Sequence, residues 1–179
     1  TNSEIVWDKT SLNFGLVRCV PKVSFDTLTI TNKGSDVDTL LSANLIQNGT
    51  SFSIISPTQF PVSIIAGSPV QIIVRAFKQT EGTENAQLTF SFAKMFAGTQ
   101  QQIPISAEFH KTEITTTDTL KDFGVAEICS PDSTFTVRFT NSGSIDETLT
   151  VARFTSAKEF SINAQTLTVP AGSTATAII

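Results

Sequence analysis

Tyrosine is missing from this chain of 179 residues, and it carries one histidine, one tryptophan, one methionine and two cysteines. With His110 alone there is little from which to assemble a nucleophilic triad. Cys19 and Cys129 supply neither a structural zinc site nor a Cys-x-x-Cys redox pair. No glycine-rich phosphate loop occurs. Charged residues make up only 16%, with 12 Lys and Arg against 16 Asp and Glu, so the basic stripe that a nucleic-acid binder needs is absent. No apolar run approaches the roughly 18 residues that a membrane-spanning helix requires, and no signal-peptide pattern follows Thr1. The chain also starts without Met and reads as a processed or excised piece. No stretch sustains a helical period. The reading is a non-enzyme without cofactor or resident metal, with no nucleic-acid partner.

What is present is one pattern used twice. Phe14 and Gly15 return as Phe123 and Gly124, Thr31 to Gly34 return as Thr140 to Gly143, and Ile5 returns as Ile114, all at an offset of 109. Phe52 to Ile54 answer Phe160 to Ile162, and Ala66 to Ser68 answer Ala171 to Ser173. A period near this length suits a small sandwich with its own core.

A Phe-Gly opening strand, a strand ending in Thr-Asn-x-Gly, a Phe-Ser-Ile segment and an Ala-Gly-Ser turn resemble the ASH or Hydin-type immunoglobulin-like repeat, related to major sperm protein domains. The resemblance covers nearly the whole chain. It implies an all-β fold of two tandem immunoglobulin-like β-sandwiches, residues 1–110 and 111–179, with a short link at His110 to Glu113. It further implies a structural or adhesive role in a bacterial cell-surface array or filament, whose partners are neighbouring repeats or other copies of the chain. The alternatives are an accessory carbohydrate- or protein-binding module of a larger secreted protein, and an intracellular ciliary or centrosomal scaffold.

Strands follow from alternation. The first runs over Glu4 to Trp7 and Leu12 to Phe14 with a break between, and Trp7 gives partial core cover. Cys19, Pro21 and Phe25 match Cys129, Pro131 and Phe135 at an offset of 110, one more than their flanks, which predicts a β-bulge at Asp26 or Thr27. In the second module Phe135, Val137 and Phe139 point inward. Gly34 and Gly143 read as turn glycines with positive φ. Residues 79–85 read as a loop, and Pro104 suits an edge strand. After Gly172 only seven residues remain, where the first module has 42 between Gly67 and Phe109, so the second module is expected to lack its last two strands. A longer natural chain accounts for this, with strand donation by a neighbouring subunit as the alternative.

Four of the eight aspartates open a triplet of the form Asp-Thr-Leu or Asp-Ser-Thr, resembling an O-glycan acceptor of exported Bacteroidota proteins, with Thr27, Thr39, Thr119 and Ser133 as acceptors. Asn48, Gly49 and Thr50 form a lone N-linked sequon. Cys19 and Cys129 occupy equivalent loops, so each is read as a free thiol or as half of an intermolecular disulfide, not as one intramolecular pair. Asp36 with Asp38 reads as a solvated pair on a turn, and His110 as solvated. A calcium clamp from Glu81, Glu84, Glu108, Glu113, Asp146 and Glu147 is the minority reading against scattered surface acids.

Overall fold

The structure, a computed structural model, describes residues 3–95, 100–125, 131–150 and 160–179. The chain is all-β and divides into two compact units, Thr1–Phe109 and His110–Ile179. In the first unit the strands are β1 (Ile5–Trp7), β2 (Leu12–Arg18), β3 (Lys22–Asn32), β4 (Asp38–Gln47), β5 (Phe52–Ser56), β6 (Val62–Ile64), β7 (Pro69–Lys78), β8 (Gly82–Phe92) and β9 (Gln101–His110). They form two sheets, of order β1-β3-β7-β5 and β2-β9-β8-β4-β6. Alternate residues of each strand turn to the space between the sheets, where Leu28, Ile30, Leu40, Ile72, Phe90 and Phe109 are wholly buried. Burying a side chain of that size stabilises by about 1.5–3 kcal/mol. Trp7 packs at the margin of this core.

The second unit holds β10 (Ile114–Thr115), β11 (Thr136–Asn141), β12 (Glu147–Thr150), β13 (Thr166–Val169) and β14 (Thr174–Ile178), in sheets β10-β11-β14 and β12-β13. Its register repeats that of the first unit position by position. Ile114 faces Asn141 as Ile5 faces Asn32. Val137 faces Ala177 as Leu28 faces Ile72, and Leu149 faces Leu167 as Leu40 faces Val62. An aromatic pair recurs as well, Phe14 with Phe52 at 5.8 Å between ring centroids and Phe123 with Phe160 at 5.6 Å.

Several expectations are corrected. There is no bulge at Asp26 or Thr27, because β3 pairs with β7 in unbroken register from Lys22 to Thr31. The extra residue instead inverts parity, so Phe25 faces outward at 59% exposure whereas its sequence counterpart Phe135 is half-buried. The irregularities fall in β4, between Leu40 and Ser42, and in β5, between Ile54 and Ser56. Strand β9 is not an edge: the first strand splits, β1 staying with β3 while β2 crosses to the other sheet and flanks β9, so Pro104 sits in an interior strand. The loop expected at 79–85 is shorter, since β8 starts at Gly82 and pairs with β9 from there.

The glycine assignment also changes. Positive φ falls at the repeated pairs Gly15 and Gly124 (+58° and +69°) and Gly67 and Gly172 (+75° and +66°), and also at Gly49 and Gly82, but not at Gly34 or Gly143. Gly143 is required for space: a Cβ there would lie 2.5 Å from the Lys111 carbonyl oxygen and 3.0 Å from Asn141 Oδ1. Since backbone is what it meets, Gly143→Ala is expected to destabilise the second unit by about 1–3 kcal/mol. Faster hydrogen exchange along β11 would report it, and unchanged exchange would refute the steric argument.

Candidate functional site

The polar residues at the centre of each module are committed to holding the fold. Asn32 ends β3 with its side chain wholly buried. Its Nδ2 donates to the carbonyl oxygens of Asp36 (2.6 Å) and Ile64 (3.0 Å), and its Oδ1 accepts from the amides of Gly34 (3.0 Å) and Glu4 (3.2 Å). These four bonds use the full capacity of a carboxamide. They tie one sheet, through Glu4 and Asn32, to β6 of the other and close the turn between β3 and β4. Asn141 does the same in the second unit, donating to Ile145 O (2.8 Å) and Val169 O (2.9 Å) and accepting from Gly143 N (2.9 Å). The Thr-Asn-x-Gly signal is therefore an intersheet staple, with the glycine amide as one of its donors.

Asp38 is the residue that the sequence reading misplaced. It opens β4 and is wholly buried, not solvated on a turn beside the half-buried Asp36. Oδ2 accepts from Ser3 Oγ (2.7 Å) and Met95 N (2.8 Å), and Oδ1 from Thr39 N (2.7 Å) and Lys94 N (3.0 Å). Burial, the largest single influence, pushes the carboxyl up. The bonds from Ser3, Met95, Thr39 and Lys94 together outweigh it and hold the group below its ordinary value of 3.8. His110 is half-buried at the end of β9, its Nδ1 3.2 Å from Ser144 Oγ, so it is not simply solvated.

The candidate modification sites differ in setting. Thr119 and Ser133 are exposed, while Thr27 and Thr39 are half-buried within strands. Asp26 and Asp38 each accept the amide of the threonine that follows, so in two of the triplets the aspartate has a structural task. Asn48, Gly49 and Thr50 are exposed between β4 and β5. Cys19 is exposed with φ +64°, and Cys129 lies outside the described residues. Of the acids considered for a clamp, Glu84 pairs with Lys78 and Glu113 with Lys111. The Lys111 contact holds the Glu113 carboxyl below its usual range. Among the described residues no group of three or more His, Cys, Asp or Glu is placed to hold a metal ion.

The second unit carries a cleft of about 460 Å³ between its two sheets, with Val137, Phe139, Leu149, Ile162, Leu167 and Ala177 among its walls. Its surface is largely apolar.

No protein-family model matches the chain, and no curated protein does. Solved structures do match. The ASH/PapD-like domain 7 of human CEP192 is 13% identical, the alignment covering 61% of this chain and 87% of that one at a TM-score of 0.48. The CsuC–CsuE chaperone–tip adhesion subunit complex from Csu pili of Acinetobacter baumannii is 10% identical over 97% of this chain and 89% of that one, TM-score 0.42. The secreted serine protease VesC of Vibrio cholerae is 10% identical, over 98% of this chain but 43% of that one, TM-score 0.47. All three TM-scores lie below 0.5, and the all-β fold class stands on the sheets described above.

Proposed function

We propose that this chain is a non-catalytic structural or adhesive segment of an immunoglobulin-like repeat array, acting at a bacterial cell surface or in a secreted filament. The observation that carries the proposal is the position-by-position repetition of register and of the buried asparagine staple in two consecutive units. A module repeated with its internal bonding intact is suited to spacing and display, because each copy folds on its own core and offers its loops outward. The buried polar groups of the first unit support this: Asn32 and Asp38 have their bonding taken up by backbone and by Ser3. Antibody against residues 1–179 should label intact cells of the natural host. Labelling only after permeabilisation would refute the surface assignment.

The O-glycan proposal is carried forward in narrower form. A transferase needs to reach the hydroxyl, so sugar is expected on the exposed Thr119 and Ser133 and not on Thr39, whose neighbouring aspartate is wholly buried. Peptide mass spectrometry of natively sourced protein should show added hexose mass on peptides holding Thr119 or Ser133. Bare peptides there would end the proposal.

A further inference from the structure

We infer that Asn48 is a site of self-modification by deamidation, in which the backbone nitrogen of Gly49 attacks the Asn48 carboxamide. The reaction needs a carboxamide and a following amide nitrogen that are both free of hydrogen bonds, and no side chain on the second residue to screen that nitrogen. Asn48 and Gly49 are exposed between β4 and β5, and among the described residues neither the Asn48 side chain nor the Gly49 amide has a hydrogen-bond partner. Gly49 is also the one glycine in the chain that directly follows an asparagine, and its φ of +103° is a conformation that side chains disfavour. The other described asparagines each lack one of these conditions. Asn32 and Asn141 spend their carboxamides on the intersheet staple. Asn13 accepts from Gly15 N (2.8 Å) and Asn163 from Ile178 N (2.9 Å). Asn44 and Asn85 lie within paired strands and are followed by Leu45 and Ala86.

The chemistry is a hydrolysis in two steps and needs only water. The Gly49 nitrogen loses its proton and bonds to Asn48 Cγ, the bond from Cγ to Nδ2 breaks, and Nδ2 leaves as ammonia with that proton. Water then opens the five-membered imide. Attack at Cγ returns an ordinary aspartate, whereas attack at the Asn48 main-chain carbonyl leaves the chain running through Cγ as isoaspartate. Either product adds a negative charge to a chain of net charge -4. The isoaspartate also adds a methylene to the main chain between Gln47 and Phe52. Those two residues tie the ends of the loop together, Gln47 Nε2 donating to Phe52 O (2.8 Å) and Phe52 N donating to Gln47 Oε1 (3.0 Å). The same step consumes the nitrogen to which an N-linked sugar at Asn48 would be attached, so the two modifications exclude each other.

The test incubates the whole, unglycosylated chain at mildly alkaline pH and follows the tryptic peptide of residues 34–75, which holds both Asn44 and Asn48. That peptide should gain about 1 Da, the difference between a carboxamide and a carboxyl group. Fragmentation should place the gain at Asn48 and not at Asn44, with isoaspartate among the products. The rate should rise with pH, because the attacking nitrogen must first lose its proton. It should also stay within about tenfold of the rate in a synthetic peptide of residues 44–54, since the fold leaves both reacting groups free. Asn48→Gln should remove the gain, because the longer side chain closes its ring far more slowly, and it leaves the backbone of the loop unchanged. A folded chain more than about tenfold slower than the peptide would overturn the inference by showing that the fold holds this loop out of reach of the reaction. Equal gain at Asn44, or gain that persists in Asn48→Gln, would overturn it by placing the chemistry elsewhere.

Discussion

Asn32→Ala should lower the stability of the first unit by about 3 kcal/mol, a large share of what a domain of this size has in hand. The substitution removes little apolar contact, so its cost comes from what it strands. The carbonyls of Asp36 and Ile64 lose their donor, and the amides of Gly34 and Glu4 lose their acceptor, at a position with no solvent exposure. A buried group left unsatisfied costs about 1–3 kcal/mol, and access of water to some of the four keeps the sum below the simple total. Trp7 is the sole tryptophan and stands opposite Ile30 in the β1–β3 ladder, so its fluorescence reports the first unit. With a urea dependence of about 1.5–2 kcal/mol per molar, the midpoint should fall by roughly 1.5–2 M. Asn32→Asp is the sharper variant, because it preserves volume while turning an acceptor oxygen toward two carbonyls. It should cost at least as much as alanine. Tolerance of aspartate within about 1 kcal/mol would show that shape and not hydrogen bonding sets the role of this position.

That role could not be read in the sequence, although the motif containing it was the most visible feature there. Repetition at a fixed offset located Asn32 and Asn141, and alternation gave most strands, because period two reports which residues share a face. Alternation does not report which strand is the neighbour. Hence β1 and β2 read as one interrupted strand when they belong to different sheets, and Pro104 read as marking an edge when β2 covers it. Phe25 shows the limit of alignment by residue identity. It matches Phe135 as a letter, yet one extra residue absorbed without a bulge sends it to the opposite face. The cleft was not legible, because its walls depend on how β11, β12, β13 and β14 meet. Asp38 was hidden for a different reason. An aspartate at the start of a strand is ordinarily a turn residue, and the donors that make it a core residue, Ser3, Lys94 and Met95, lie 35, 56 and 57 positions away.

Those donors make Asp38 the acid-sensitive point of the first unit. Its carboxyl is held below the ordinary value of 3.8 in the folded protein, despite burial, by the bonds from Ser3, Met95, Thr39 and Lys94. A group whose folded pKa lies below its unfolded one contributes stability that is complete above the unfolded value and is lost as pH falls through the folded value. The first unit should therefore weaken below about pH 4, as protonation converts an acceptor for four donors into a group that must itself donate. Asp38→Asn should be less stable at pH 7 by roughly 2–4 kcal/mol, since its NH₂ replaces an oxygen that accepts two of those bonds, and bonds to a charged acceptor are worth about 1.5–3 kcal/mol each. The variant should also show a shallower loss of stability between pH 5 and pH 2. Asn32→Ala, by contrast, should keep the steep acid dependence while being destabilised throughout, which separates the carboxylate's contribution from a general loosening of the module. Ser3→Ala removes the single side-chain donor among the four and should cost about 1 kcal/mol. Equal stability of Asp38→Asn and the parent chain at pH 7, or an unaltered acid slope in that variant, would show that the carboxylate does not secure the segment Ala93 to Met95 against β4.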